Sequence, residues 1–143
     1  MNLSPHFTLE ELTASDTAHR EGLSNHPDPT ALANLRRLSQ TLEQVRSLLG
    51  CPIRINSAYR SDEVNRRVGG VSGSAHTRGL AADISVLQMP ARAVAQRIFN
   101  SDLAYDQLIL EFDRWVHLAI AEGAGRKQVL TVREGSGYLP GLQ

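Results

Sequence analysis

Residues 106–121 read DQLILEFDRWVHLAIA, two apolar runs (Asp106–Phe112 and Trp115–Ala121) parted by the polar pair Asp113-Arg114. Each run is short and strand-like, so the stretch predicts an antiparallel β-hairpin. Its turn length matters, because side chains alternate along a strand. A three-residue loop, Phe112-Asp113-Arg114, pairs Glu111 with Trp115 and Ile109 with His117, and sets Glu111, Trp115 and His117 on one face. A two-residue turn at Asp113-Arg114 puts Glu111 on the opposite face from His117.

Upstream of the hairpin, Leu80–Val86 predicts a second strand, and Pro90–Asn100 a helix that starts at its proline. Pro52–Asn56 alternates and is β-branched, another strand, with Ser61 placed to cap a short helix through Val68. Leu32, Leu35, Leu38, Leu42, Val45 and Leu49 recur at helical spacing after Asp28-Pro29 and stop at Gly50, the stripe of a long core-facing helix. Thr8 and Glu11 form a capping box, with Phe7 and Leu12 as a hydrophobic staple, for a short first helix. Residues 20–29 read as a loop, Gln128–Arg133 as a last strand, and 134–143 as a Gly-rich tail. Helices come first and strands cluster later. The expected fold class is therefore α+β: one domain over 1–143, core about 7–133, with N-terminal helices on a mainly antiparallel sheet.

A chain of 143 residues with 41% hydrophobic and 21% charged content can bury a core without staples. Net charge is zero, which argues against nucleic acid or an anionic membrane as partner. The single cysteine, Cys51, cannot form an intramolecular disulfide and reads as a small buried residue at a strand start. The opening MNLSPHFTLEEL lacks a basic segment followed by an apolar run. The sequence thus predicts cytoplasmic synthesis without a secretory signal.

His6, His19 and His26 lie in polar surroundings and read as surface residues. His117 instead sits in the apolar run Trp115–Ile120, where a histidine needs hydrogen-bond partners or a metal. By itself it fits a satisfied core residue. His76 and Asp83, flanking a loop that enters the 80–86 strand, change this reading. Two imidazoles and one carboxylate are a three-ligand set suited to a catalytic zinc with one position left for water. A hydrolytic zinc site also needs a base, for which Glu111 is the leading candidate and Asp113 the fallback.

Ser57-Ala58-Tyr59-Arg60-Ser61, Asn65, Gly69-Gly70, Ser74-x-His76-x-x-Gly79-x-Ala81-x-Asp83 and Trp115-x-His117 together resemble the D-alanyl-D-alanine metallocarboxypeptidase family. Those zinc peptidases are grouped with lysostaphin-type enzymes and the hedgehog signalling domain. The compact phage and prophage forms, which act on peptidoglycan, are the most similar. The resemblance implies one Zn²⁺ per chain on His76, Asp83 and His117, with Arg60 holding a substrate carbonyl or carboxylate. It also implies substrate-binding parts for Tyr59 and Ser74. Several family members carry an acidic residue three positions before the last histidine; here that position is Arg114, and Glu111 stands six before, as in hedgehog-like relatives. The implied protein is a monomeric peptidoglycan stem-peptide hydrolase, an endolysin that acts on the wall after release from the cytoplasm. A zinc-stabilised binding module that does not cleave, or a virion-associated domain, are the alternatives. The bond cut is left open, since loops around Arg60, Gly69–Gly73 and Tyr105 would set it.

Overall fold

The computed structural model describes all residues from Met1 to Gln143. The N-terminal part comprises strands β1 (Asn2–Ser4) and β2 (Phe7–Thr8), then helices α1 (Leu9–Thr13), α2 (Asp16–Glu21) and α3 (Pro29–Leu49). Next come β3 (Arg54–Ser57), α4 (Asp62–Arg67), a 3₁₀ turn (Ala75–Arg78), β4 (Ala81–Ser85) and α5 (Ala91–Phe99). The chain ends with β5 (Gln107–Glu111), β6 (Trp115–Ala119), β7 (Gln128–Arg133) and β8 (Gly137–Pro140). No helix is long and apolar enough to cross a membrane.

Capping chemistry explains most boundaries. Thr8, Ser15, Asp28 and Ser61 each accept a backbone N–H of the helix they start, and Pro29 occupies the first turn of α3. Gly50 ends α3 in the left-handed conformation, and Cys51 after it is half-buried rather than buried. Pro52 has no N–H to give a ladder, so β3 begins later than the alternation suggests, at Arg54.

The main sheet has the order β3-β4-β6-β5-β7-β8, antiparallel except for the parallel β5–β7 pair. Its two faces differ in kind. Ala82 and Ile84 pair with Leu118 and Val116, which in turn pair with Leu108 and Leu110. These six side chains are almost wholly buried with Leu35, Leu38 and Leu42 of α3 and Val94 and Ile98 of α5. The alternate residues, Asp83, His117, Ile109, Glu111 and Trp115, therefore project from the other face.

Three elements depart from the sequence expectation. Helix α2 extends into the 20–29 loop, because Ser15 caps it and left-handed Gly22 closes it. Asn2–Thr8 form a small hairpin whose Leu3 and Phe7 belong to the core. The glycine-rich tail is not irregular: β8 pairs with β7, and Leu142 packs on the core, so ordered structure runs past residue 133.

The N-terminal hairpin is tied to α3 by Glu43. Ser4 Oγ donates to its Oε2 (2.6 Å), the His6 backbone N–H donates to the same oxygen (2.7 Å), and His6 Nδ1 lies 2.7 Å from Oε1. Burial alone would raise the Glu43 carboxyl, but these hydrogen bonds hold it below its usual value. A depressed folded pKa adds stability that is complete above the unfolded value and lost as pH falls through the folded one. Glu43→Gln is thus expected to destabilise the protein by about 1–2 kcal/mol at neutral pH. Urea unfolding should show the gap to wild type closing as pH falls through the lowered folded-state value of Glu43.

Candidate active site

The turn of the β5–β6 hairpin decides what shares the polar face. Arg114 N–H donates to the Glu111 carbonyl (3.0 Å), with Phe112 and Asp113 both left-handed (φ 56° and 55°). Arg114 is then one residue extra before β6, so Glu111 faces Trp115 and Ile109 faces His117. This is the odd-length loop, and Glu111 lies on the face of His117.

On that face Asp83 and His117 are direct cross-strand partners. His76 arrives from the 3₁₀ turn, whose start is capped by Ser74: its Oγ accepts the His76 N–H (3.2 Å). Gly79 closes the turn with φ +75°, and a Cβ there would lie 2.6 Å from the Ala31 carbonyl of α3. Asn34 of α3 also donates to the Arg78 carbonyl (2.9 Å), so the long helix fixes the height at which His76 meets the sheet.

Asp83 Oδ1 lies 3.0 Å from His117 Nδ1 and 3.3 Å from His76 Nε2. The ring centroids are 5.1 Å apart, and the ligand atoms of all three residues fall within 4.8 Å of one another. A tetrahedral ion with bonds near 2.0–2.1 Å separates its donors by about 3.3 Å. The orientation fits as well. His76 Nδ1 sits 2.6 Å from the Ala58 carbonyl, which can only accept, so Nδ1 carries the proton and Nε2 presents its lone pair toward Asp83. Burial would by itself raise the Asp83 carboxyl, yet the two imidazoles hold it well below the usual carboxylate range, ionised and ready to ligate. Donor types, spacing and tautomer all suit a metal ion.

Two charged groups border this cluster. Glu111 is largely shielded from solvent; burial first, and then the negative charge of Asp83, push its carboxyl up, against the pull of His117 and of a hydrogen bond from Trp115. That is the direction that makes a carboxylate a better proton acceptor. Arg60 has a buried Nε without an acceptor, and its charged neighbours are Asp83 and Glu111. Burial lowers its proton affinity while those two carboxylates raise it. Its backbone is laced to the metal-facing turn, since Arg60 N–H donates to the His76 carbonyl (3.1 Å).

Other candidates fall elsewhere. Tyr59 is buried in the hydrophobic core at 7% exposure, with Asp28 and Asp62 as its charged neighbours. Its backbone N–H donates to the Leu12 carbonyl, and its ring packs within the core cluster. Ser74 spends its hydroxyl on the cap of the 3₁₀ turn. Asp113 pairs with Arg92 of α5 and Arg133 of β7 at the exposed hairpin tip. Tyr105 is also buried, beside a cleft lined by Arg37 and Ala121 beyond the far end of β6. His19 and His26 are exposed, and His6 serves Glu43.

Some contributors left little trace in the sequence. The Ala58 carbonyl that sets the His76 tautomer is a backbone group. Asn25, inside the turn-rich 20–29 segment, brackets Arg60: it donates to the Tyr59 carbonyl (3.1 Å) and accepts the Ser61 N–H (2.7 Å). The sequence marks this segment only as a loop rich in turn formers.

A His-Asp-His cluster on the polar face of such a sheet, with a shielded carboxylate and a half-buried arginine beside it, is an arrangement that could hold a metal ion for hydrolysis. The chain belongs to the peptidase M15 family, whose profile matches residues 5–119, and is a metallopeptidase of the D-Ala-D-Ala carboxypeptidase-like kind. The match ends at the last residue of β6, so β7 and β8 lie outside it. No individually curated protein matches the chain.

Proposed function

We propose that this protein is a zinc-dependent peptidase that hydrolyses an amide bond in the peptide stem of bacterial peptidoglycan, serving as a phage or prophage lytic enzyme. The observation that carries the reading is the juxtaposition of Glu111 and Arg60 with the cluster of His76, Asp83 and His117. Zinc bound by those three residues would supply Lewis-acid polarisation of the scissile carbonyl and a water of lowered pKa. Glu111 takes the proton of the attacking water and returns it to the leaving amine. Arg60 presents its guanidinium where negative charge grows on the carbonyl oxygen, the kind of preorganised contribution worth roughly 3–4 kcal/mol when a single donor is deleted elsewhere. Ser74 holds His76 in place rather than touching substrate.

Digestion of purified peptidoglycan with and without a chelator tests this reading. Stem-peptide fragments identified by mass, lost on chelation and regained with zinc, are the expected result. The masses also name the bond. A preparation that releases no chelator-sensitive fragment sinks the peptidase assignment and leaves a binding module.

A further inference from the structure

We propose that Trp115 is a positioning residue for Glu111, fixing its carboxylate through the indole N–H and held in turn by Phe112. Trp115 Nε1 donates to Glu111 Oε1 at 2.7 Å, across the rung nearest the hairpin turn. Only Oε1 is engaged in this way, so the bond orients the carboxylate and leaves Oε2 without a protein donor. A glutamate at a strand end has three side-chain torsions to settle, and misplacing a reacting group by an ångström can remove much of its rate contribution. The indole itself has a ring neighbour. The Phe112 ring lies 5.5 Å from it at a tilt of 53°, although Phe112 is 42% exposed. Phe112 reaches that contact from a left-handed backbone (φ 56°), a conformation a bulky side chain rarely adopts. The tip therefore maintains a costly geometry whose visible product is a chain of contacts from Phe112 through Trp115 to Glu111.

This inference rests on Glu111 as the proton acceptor. Trp115→Phe keeps a ring against Phe112 and deletes the donor; its kcat on a soluble muropeptide should fall roughly tenfold, with KM and bound zinc unchanged. In a Glu111→Ala background the same substitution should cause no further loss, because its effect passes through the carboxylate. Trp115→His should recover part of the loss, since imidazole Nε2–H occupies the ring position of indole Nε1–H. The inference is overturned if Trp115→Phe keeps kcat within twofold of wild type, or slows both backgrounds equally. It is also overturned if the loss comes with altered KM, zinc content or fold, which would assign the indole to packing. If Glu111→Ala alone turns over like wild type, the base assignment fails instead, a separate and distinguishable outcome.

Discussion

Glu111→Gln is expected to lower kcat by a factor of about 10²–10⁴, the range that one positioned acid–base group contributes, while zinc stays bound stoichiometrically. Metal retention follows from geometry, because Glu111 is outside the three-residue cluster whose ligand atoms converge. Glutamine preserves volume and can still accept the indole N–H through its amide oxygen, so the hairpin should keep its register. What disappears is the capacity to take a proton. Parallel measurement of kcat and metal content separates this from damage to the ligand set, which would lower both. Asp113→Asn is the matched control: Asp113 is tied to Arg92 and Arg133 at the exposed tip, and its loss should leave turnover unchanged. Turnover within tenfold of wild type for the glutamine variant would falsify the assignment of Glu111 as base.

The site was legible where strand alternation or motif spacing carried it. Apolar–polar periodicity in 106–121 reduced the location of Glu111 to one variable, the number of residues in the turn. Composition could not choose the value, because Phe112 and Asp113 hold positive φ without being glycine or asparagine. Tertiary contacts support that turn: Asp113 to Arg92 and Arg133, and Phe112 to Trp115. Tyr59 shows the opposite failure. It is adjacent to Arg60 in a motif, yet its ring packs in the core while the Arg60 guanidinium neighbours Asp83 and Glu111. Strand β8 was hidden for another reason. Its Gly137-Tyr138-Leu139-Pro140 sequence has poor strand propensity, and its place is secured by the pairing of an edge with β7 rather than by an apolar pattern. Local signals thus sufficed for elements that bury a face, and failed where a long-range partner supplies the order.

Gly79→Ala is expected to be the most damaging single methyl group in the turn that presents His76. Alanine at φ +75° incurs about 1–2 kcal/mol of backbone strain. Its Cβ would also stand 2.6 Å from the Ala31 carbonyl oxygen, a backbone atom of α3 that cannot swing aside. Relieving that overlap by shifting a packed element adds about 1–3 kcal/mol. The sum is a large part of the 5–15 kcal/mol typical of a domain's stability, and should lower Tm by roughly 10 °C. Gly22→Ala provides the comparison, since Gly22 is equally left-handed (φ +65°) with nothing within 4 Å of a built Cβ. It should show the backbone contribution alone. The two variants must also differ at the metal. Displacing the end of the 3₁₀ turn moves His76, three residues earlier, away from Asp83, whereas α2 ends at Gly22 without carrying a ligand. Zinc affinity should therefore fall in Gly79→Ala and hold in Gly22→Ala. Equal melting temperatures and equal zinc binding for the pair would mean that α3 yields to the methyl group and does not set the height of His76 over the sheet.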